Sequence, residues 1–261
     1  KEKPEYFDYS LESTLINQTI HPDEFVLVCD GSLTPELEKV IEKYQVLFPD
    51  ILKVYRKENG GLGKALNFGL QKCSFPLVAR ADSDDICAPT RFEKQLKYFE
   101  EHPDVGIISS FIDEFDSDWS TPNNIKRLPL THAELFQMAK FRCPLNHMAV
   151  MMRKEDIIRI GSYHHIPYIE DYELWVRALI NGIKIGNVGE VLVHARTGNG
   201  MVQRRGTKKY IKSWHQMNKE MIQAGMIGYG TYIRNMISIT AFVFMPDRLK
   251  EFLYKKVLRN R

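Results

Sequence analysis

Apolar residues run unbroken over 25–29, entered through His21-Pro22 and left through Asp30-Gly31-Ser32, the form of a buried parallel strand with a turn at its carboxyl end. Thr34-Pro35-Glu36 then opens a helix carrying Leu37, Val40, Ile41 and Tyr44 at helical spacing. The same pattern predicts a strand over 51–55, a helix over 64–71 with Ala65, Leu66 and Leu70 inward, a strand over 76–79 and a helix over 89–101. Strand and helix alternate three times within roughly 80 residues, which specifies an open, mostly parallel α/β sheet. In such sheets ligands bind outside the carboxyl ends of the strands. Asp30, the glycine loop 59–63 and the acidic run Asp82-Ser83-Asp84-Asp85 all fall at such ends.

Further along, the pattern predicts a strand over 105–111, a short helix over 134–140, a strand over 148–152, a loop over 161–167 and an amphipathic helix over 172–180 with Leu174, Trp175 and Leu179 on one side. One or two short strands follow in 183–193, and beyond Gly206 only helices are predicted. The methionines at 138, 148, 151 and 152 read as core filler.

Composition narrows the classes without naming one. With 261 residues, 44% hydrophobic and 26% charged, the chain suits one large globular domain with an appendage, and excludes disordered, collagen-like and disulfide-scaffold proteins. A net charge of +3 gives no argument for nucleic acid. Cys29, Cys73, Cys87 and Cys143 are scattered, with no C-x-x-C pair or finger-like His spacing, which argues against structural zinc and for a reducing compartment. No apolar run approaches the roughly 18 residues of a membrane span.

The candidate chemistry lies in the polar features. Three carboxylates packed into 82–85 repel one another unless a cation sits among them, and a strand running into Asp82 and Asp84 presents oxygen ligands suited to a hard divalent ion. An acidic turn in water is the alternative. The glycines of 59–63 lead into a helix N-terminus, where backbone can approach a phosphate with Lys64 beside it. No Gly-Lys-Ser/Thr closes the loop, so the pattern is not a P-loop. Glu170-Asp171 opens a helix, either as acids favouring the helix dipole or as a carboxylate base. His194 is either a core histidine or a metal ligand. The run 196–206, with Arg196, Arg204 and Arg205, reads as a loop whose cations close over a diphosphate, or as solvated charge.

Together these residues resemble the family 2 glycosyltransferases, inverting enzymes of the GT-A nucleotide-sugar-binding fold, most closely the bacterial polysaccharide-synthesis members. Asp30-Gly31-Ser32, the run from Asn59 through Lys64 to Asn67, Arg80-Ala81-Asp82-Ser83-Asp84-Asp85 with Pro89 and Arg91 behind it, and Glu170-Asp171-Tyr172-Glu173-Leu174-Trp175 stand in the family's order. The resemblance implies that residues 1–206 form the transferase domain, 1–110 its nucleotide half and 111–206 its acceptor half, with 207–261 a helical appendage. It implies that Asp30 contacts the nucleobase, that Asn59, Gly60, Lys64, Arg80 and Asp82 line the nucleotide site, and that Asp84, shared with Asp82, holds Mn²⁺ or Mg²⁺. Asp171 becomes the catalytic base and Glu170 its support at the acceptor site. The donor is a nucleotide sugar, with uridine expected as its base, and the acceptor a saccharide or lipid-linked saccharide.

The chain departs from the family in two places. Its first residues correspond to the loop after the family's first strand, so the sheet is expected to lack a central strand, with truncation the expected cause. The Gln-x-x-Arg-Trp signature of processive synthases is absent, which favours transfer of a single sugar. The stretch 236–261 joins apolar residues to Lys250, Lys255, Lys256, Arg259 and Arg261, either a helix docked on the core or an interfacial helix on anionic lipid, which would place the protein in the cytoplasm at the inner face of the plasma membrane. A sugar nucleotidylyltransferase and a non-catalytic nucleotide- or carbohydrate-binding module are the competing readings.

Overall fold

A computed structural model describes residues 2–197 and 207–246. Helix α1 (Pro4–Leu15) buries Phe7, Leu11 and Leu15 against Leu37, Ile41 and Tyr44 of α2 (Pro35–Leu47), a helix capped by the Thr34 hydroxyl accepting from Leu37 N–H. Beneath them β1 (Phe25–Asp30) pairs in parallel with β2 (Leu52–Lys57) over its whole length. The chain continues through α3 (Leu62–Lys72), β3 (Leu77–Ala79), β4 (Ile86–Cys87), α4 (Arg91–Glu101), β5 (Val105–Phe115), β6 (Asn124–Lys126) and α5 (His132–Met138). After a 3-10 turn (His147–Ala149) come β7 (Met151–Arg153), α6 (Lys154–Arg159), α7 (Glu170–Ile180), β8 (Lys184–Arg196), α8 (Lys208–Gln223) and α9 (Tyr229–Phe244).

The larger sheet has the order β3-β7-β5-β8-β4, with β6 beside β5. The two longest pairings, β1 with β2 and β5 with β8, are parallel, and the short β4, β6 and β7 pairings are antiparallel. The expected α/β architecture is present, with local differences. The strand predicted over 105–111 continues to Phe115, because Asp113 is sheltered by pairing with His194. Residues 184–193 of the segment predicted over 183–193 belong to one thirteen-residue strand, whose register against β5 shifts between Ser110, Phe111 and Ile112. The strand expected over 148–152 starts only at Met151, behind the 3-10 turn.

Strands β1 and β3 are not paired, so the sheet is divided as the expected lack of a central strand requires. Phe25 and Gly31 N–H bond toward β2, and Arg80 N–H bonds toward Val150. By alternation the amides of Val26 and Val28, and those of Leu77 and Ala79, point the other way. Both edges line one cavity of about 550 Å³, walled also by Leu66, Leu70 and Met152 and reaching Arg80, Asp82 and Tyr163.

The largest core cluster joins Leu174, Trp175 and Val176 of α7 to Tyr210, Trp214, Met217 and Met221 of α8 and Val243 of α9. Asn235 of α9 donates to Asn218 Oδ1 of α8 and to Lys140 O after α5, each at 2.8 Å. Among the described residues, no helix is long and apolar enough to cross a membrane.

Candidate active site

At the end of β1 the Asp30 carboxylate gathers the glycine loop around itself. It accepts from Gly60 and Gly61 N–H, both at 2.9 Å, and from Lys57 Nζ at 2.5 Å, while Asn59 Nδ2 donates to Asp30 O at 3.0 Å. Burial alone would raise the Asp30 carboxyl, but Lys57 and the two amides outweigh it and hold it below the usual range. Gly31 and Gly61 take positive φ (105° and 86°), which only glycine adopts readily. A methyl at Gly60 would lie 3.0 Å from Lys57 Nζ and 3.1 Å from Lys64 Cδ, so two cationic side chains flank this loop.

The acidic loop after β3 is held from three directions. Ser10 of α1 donates to Asp82 O at 2.7 Å, and Ser13 accepts from Cys87 N–H at 3.1 Å. Arg91, fully buried, donates to Arg80 O at 2.6 Å, to Val150 O at 3.3 Å, to Cys87 Sγ at 3.1 Å and to Gln95 at 3.2 Å. From β8, Arg196 gives its N–H to Asp85 Oδ1 at 2.8 Å and its Nε–H to Asp84 O at 3.2 Å. Arg80 itself is buried and grips both oxygens of Asp82. Asp85 is buried too, and burial, then the charges of Asp82 and Asp84, hold its carboxyl well above the usual range.

Helix α7 brings the third part of the site. Glu173, fully buried, binds Arg177 at 2.8 and 3.0 Å, and Arg177 reaches back to Ser162 O at 2.6 Å and to Ile160 O. His164 Nδ1 lies 3.1 Å from the same carboxylate. This clamp fixes the loop before α7, in which Ser162 and Tyr168 hold positive φ (58° and 71°). Gly63 then lets the elements meet: a Cβ there would lie 3.1 Å from His164 O and 3.2 Å from Glu170 Cγ. Burial first, and to a smaller extent the neighbouring Asp171 charge, raise the Glu170 carboxyl. Asp171 accepts from the Cys143 thiol at 3.8 Å. The Tyr163 hydroxyl lies 3.0 Å from His147 Nε2, and Tyr163 lines the same cavity as Arg80 and Asp82. The base candidate itself stands beside the glycine loop, through the contact of Gly63 with Glu170.

Residues 3–161 match the profile of Glycosyl transferase family 2. The chain belongs to that family. This glycosyltransferase is 41% identical over 98% of its length to the amylovoran biosynthesis glycosyltransferase AmsE of Erwinia amylovora, of which it covers 95%. It is 36% identical, over 100% of its length and 94% of the relative, to UDP-Gal:alpha-D-GlcNAc-diphosphoundecaprenol beta-1,3-galactosyltransferase of Escherichia coli. Its fold is similar to that of S. aureus TarS 1–349 in complex with UDP-GlcNAc (TM-score 0.69, 18% identity, 97% of this chain and 72% of that one). The mannosyltransferase PcManGT from Pyrobaculum calidifontis, in complex with GDP-Man and Mn²⁺, shares it at TM-score 0.64 and 16% identity, over 95% and 69%. The architecture is GT-A.

Against this frame the glycosyltransferase places its predicted residues unequally. Asp30, Asn59, Gly60 and Lys64 share one loop region, and Arg80, Asp82 and Asp84 the next. His194 binds Asp113 through Nδ1 at 2.8 and 2.9 Å and its ring lies 5.1 Å from that of Trp119, tilted by 46°, so its bonded nitrogen faces β5. Arg196 belongs to a strand and not to a loop: its guanidinium lies 3.6 Å from the Tyr6 ring and 4.5 Å from that of Phe115, bracing the acidic loop. Arg204 and Arg205 lie outside the described residues. Among the described residues, no group of three or more His, Cys, Asp or Glu side chains is assembled as a metal cage. Asp82 and Asp84 lie on one loop, and Arg80 engages both oxygens of Asp82, so a divalent ion there would share Asp82 with that guanidinium.

Lys57, Cys143, Tyr163 and His147 went unflagged in the sequence. Lys57 ends β2, so the strand-end rule that picked out Asp30 applies to it equally. Cys143, Tyr163 and His147 carry no spacing signal; tertiary packing alone brings them to Arg80 and Asp171.

Proposed function

We propose that this glycosyltransferase moves a sugar from a UDP-sugar to a hydroxyl of a lipid-linked saccharide, with inversion and with help from Mn²⁺ or Mg²⁺. The observation that supports this reading is that Gly63, in the glycine run held by Asp30, packs against Glu170, its Cβ position 3.2 Å from Glu170 Cγ, so the start of α7 that carries Asp171 abuts the glycine loop. The donor and acceptor classes follow the Escherichia coli relative, whose name specifies UDP-Gal and a diphosphoundecaprenol-linked sugar.

In this reading the glycine loop, held by Asp30 and flanked by Lys57 and Lys64, receives the nucleoside diphosphate. Gly60 and Gly61 N–H and Lys57 are committed to Asp30, so Lys64 and the N-terminus of α3 are the groups that offset negative charge as the leaving group departs. Asp171 takes the proton of the acceptor hydroxyl, whose oxygen forms the new bond to the anomeric carbon as the bond to the diphosphate breaks on the opposite face. One displacement inverts the configuration. Glu170, with its raised carboxyl, helps orient the acceptor. A divalent ion held by Asp84 and Asp82 would supply further charge stabilisation to the diphosphate. Arg91 and Arg196 keep the acidic loop in place through its backbone.

A thermal-shift panel of nucleotide sugars, with and without Mn²⁺, tests the reading alongside product analysis of the anomeric centre. A UDP-sugar should raise Tm more than other nucleotides, further with metal, and the product should carry inverted configuration. Stabilisation by another nucleotide alone would overturn the donor, and a retained anomer the mechanism.

A further inference from the structure

Helix α9 is apolar on two sides. Its inner side carries Asn235 and Val243 into the core, and its outer side leaves Tyr229, Ile233, Ile237 and Phe244 at 72, 54, 65 and 69% exposure. At 3.6 residues per turn these four and Ala241 fall within about a third of the helix circumference. That is a continuous stripe, and not the scattered exposure normal for a surface. Arg234 borders it, its guanidinium 3.7 Å from the ring of Phe141, which is itself 41% exposed. The stripe therefore continues onto the loop after α5, where Lys140 and Arg142 flank Phe141. Two residues beyond Phe141, the Cys143 thiol meets Asp171.

Charge selects the occupant. From 207 to 246 the sequence has Lys208, Lys209, Lys212, Lys219 and Arg234 against the single acid Glu220, and α9 has no Asp or Glu at all. Such a combination, apolar residues along one face with Arg234 beside it, no acid on that helix and an excess of cations in the paired helix, suits the headgroup region of an anionic bilayer. A protein partner with an apolar groove would leave the excess of cations unexplained.

We propose that Tyr229, Ile233, Ile237 and Phe244, with Phe141, lie on an anionic lipid surface and hold the Asp171 side of the active site against it. The contact centres on 229–244 and the loop at 140–142, upstream of most of the basic segment that the sequence singled out. It deepens the lipid-linked acceptor reading by supplying the surface from which that acceptor would enter. The test needs no donor or acceptor, so the two can fail separately.

The experiment is flotation of the full chain with vesicles of phosphatidylcholine alone, or mixed with phosphatidylglycerol. Protein should float with the mixed vesicles and much less with the neutral ones. The double variant Ile233→Glu, Ile237→Glu should lose at least about tenfold in partitioning, since charges replace two inserted side chains. Its Tm should match the parent's. A second pair, Tyr229→Ser with Phe244→Ser, should do the same, and carries the test if the first pair lowers Tm. Three outcomes would overturn the proposal: no flotation of the parent, flotation unchanged in the folded variants, or a parent dimer in light scattering that the variants convert to monomer, which would assign the face to a second copy.

Discussion

Asp171 and His147 illustrate two ways in which a single side chain matters here. Asp171→Asn keeps size and removes the base, so the proposed mechanism predicts a fall in kcat of about 10² to 10⁴. The donor-induced thermal shift should survive, because Asp30, Lys64 and the acidic loop are untouched; unchanged turnover would remove Asp171 from the mechanism. His147 is half-buried, and burial, then the positive Arg80, hold its imidazole well below the usual range. Its folded pKa lies below the unfolded value of about 6.5, so its contribution is intact above that pH and is lost as pH falls toward the folded value. Over that window the parent should lose about 1.4 kcal/mol per pH unit more than His147→Gln, measured by urea unfolding at stepped pH. The carboxylates were legible in the sequence, since each ends a strand or opens a helix. Arg91 was visible only as part of a motif: that it is buried against the Arg80 carbonyl follows from how α4 packs.

Among the elements, α7 depends most on one interaction. Glu173 and Arg177, one turn apart, tie the helix to the carbonyls of Ile160 and Ser162 and so set the loop that meets Gly63. Glu173→Ala would leave Arg177 in a largely buried place without its counter-charge, a loss of about 3–5 kcal/mol in unfolding free energy. Activity should fall at temperatures where the variant is still folded, because Glu170 and Asp171 would no longer be set against α3; full activity there would disconnect the clamp from the site. Strand β1 and helix α2 could be read from the sequence because an apolar run and a Pro-capped periodic stretch each favour one structure. Helix α6 could not, being only six residues long with adjacent Ile157 and Ile158. The end of β5 was hidden for another reason: Asp113 and Glu114 look like a strand terminus, yet both are buried.

On the scale of the whole molecule, the divided sheet makes β1, β2, α1 and α2 a leaf with its own apolar cluster. It is joined to the rest through polar ties such as Ser10 to Asp82 and Gln18 to Ala88, and through α3, whose Phe68 meets Tyr55 of β2 while Leu70 belongs to the main core. The two parts of the proposed nucleotide site meet across that division, since Asp30 stands on one leaf and Asp82 on the other. Hydrogen exchange should report the division residue by residue. Leu27 and Cys29 amides, directed at β2, should be protected, whereas Val26 and Val28, directed at the cavity, should exchange faster, as should Leu77 and Ala79 opposite them. Equal protection along β1 would mean that the edges are covered. An extended segment laid into the cavity would slow those four amides selectively, and a proteolytic or mass-spectrometric readout of them would then count how many molecules in a preparation have both leaves stitched together.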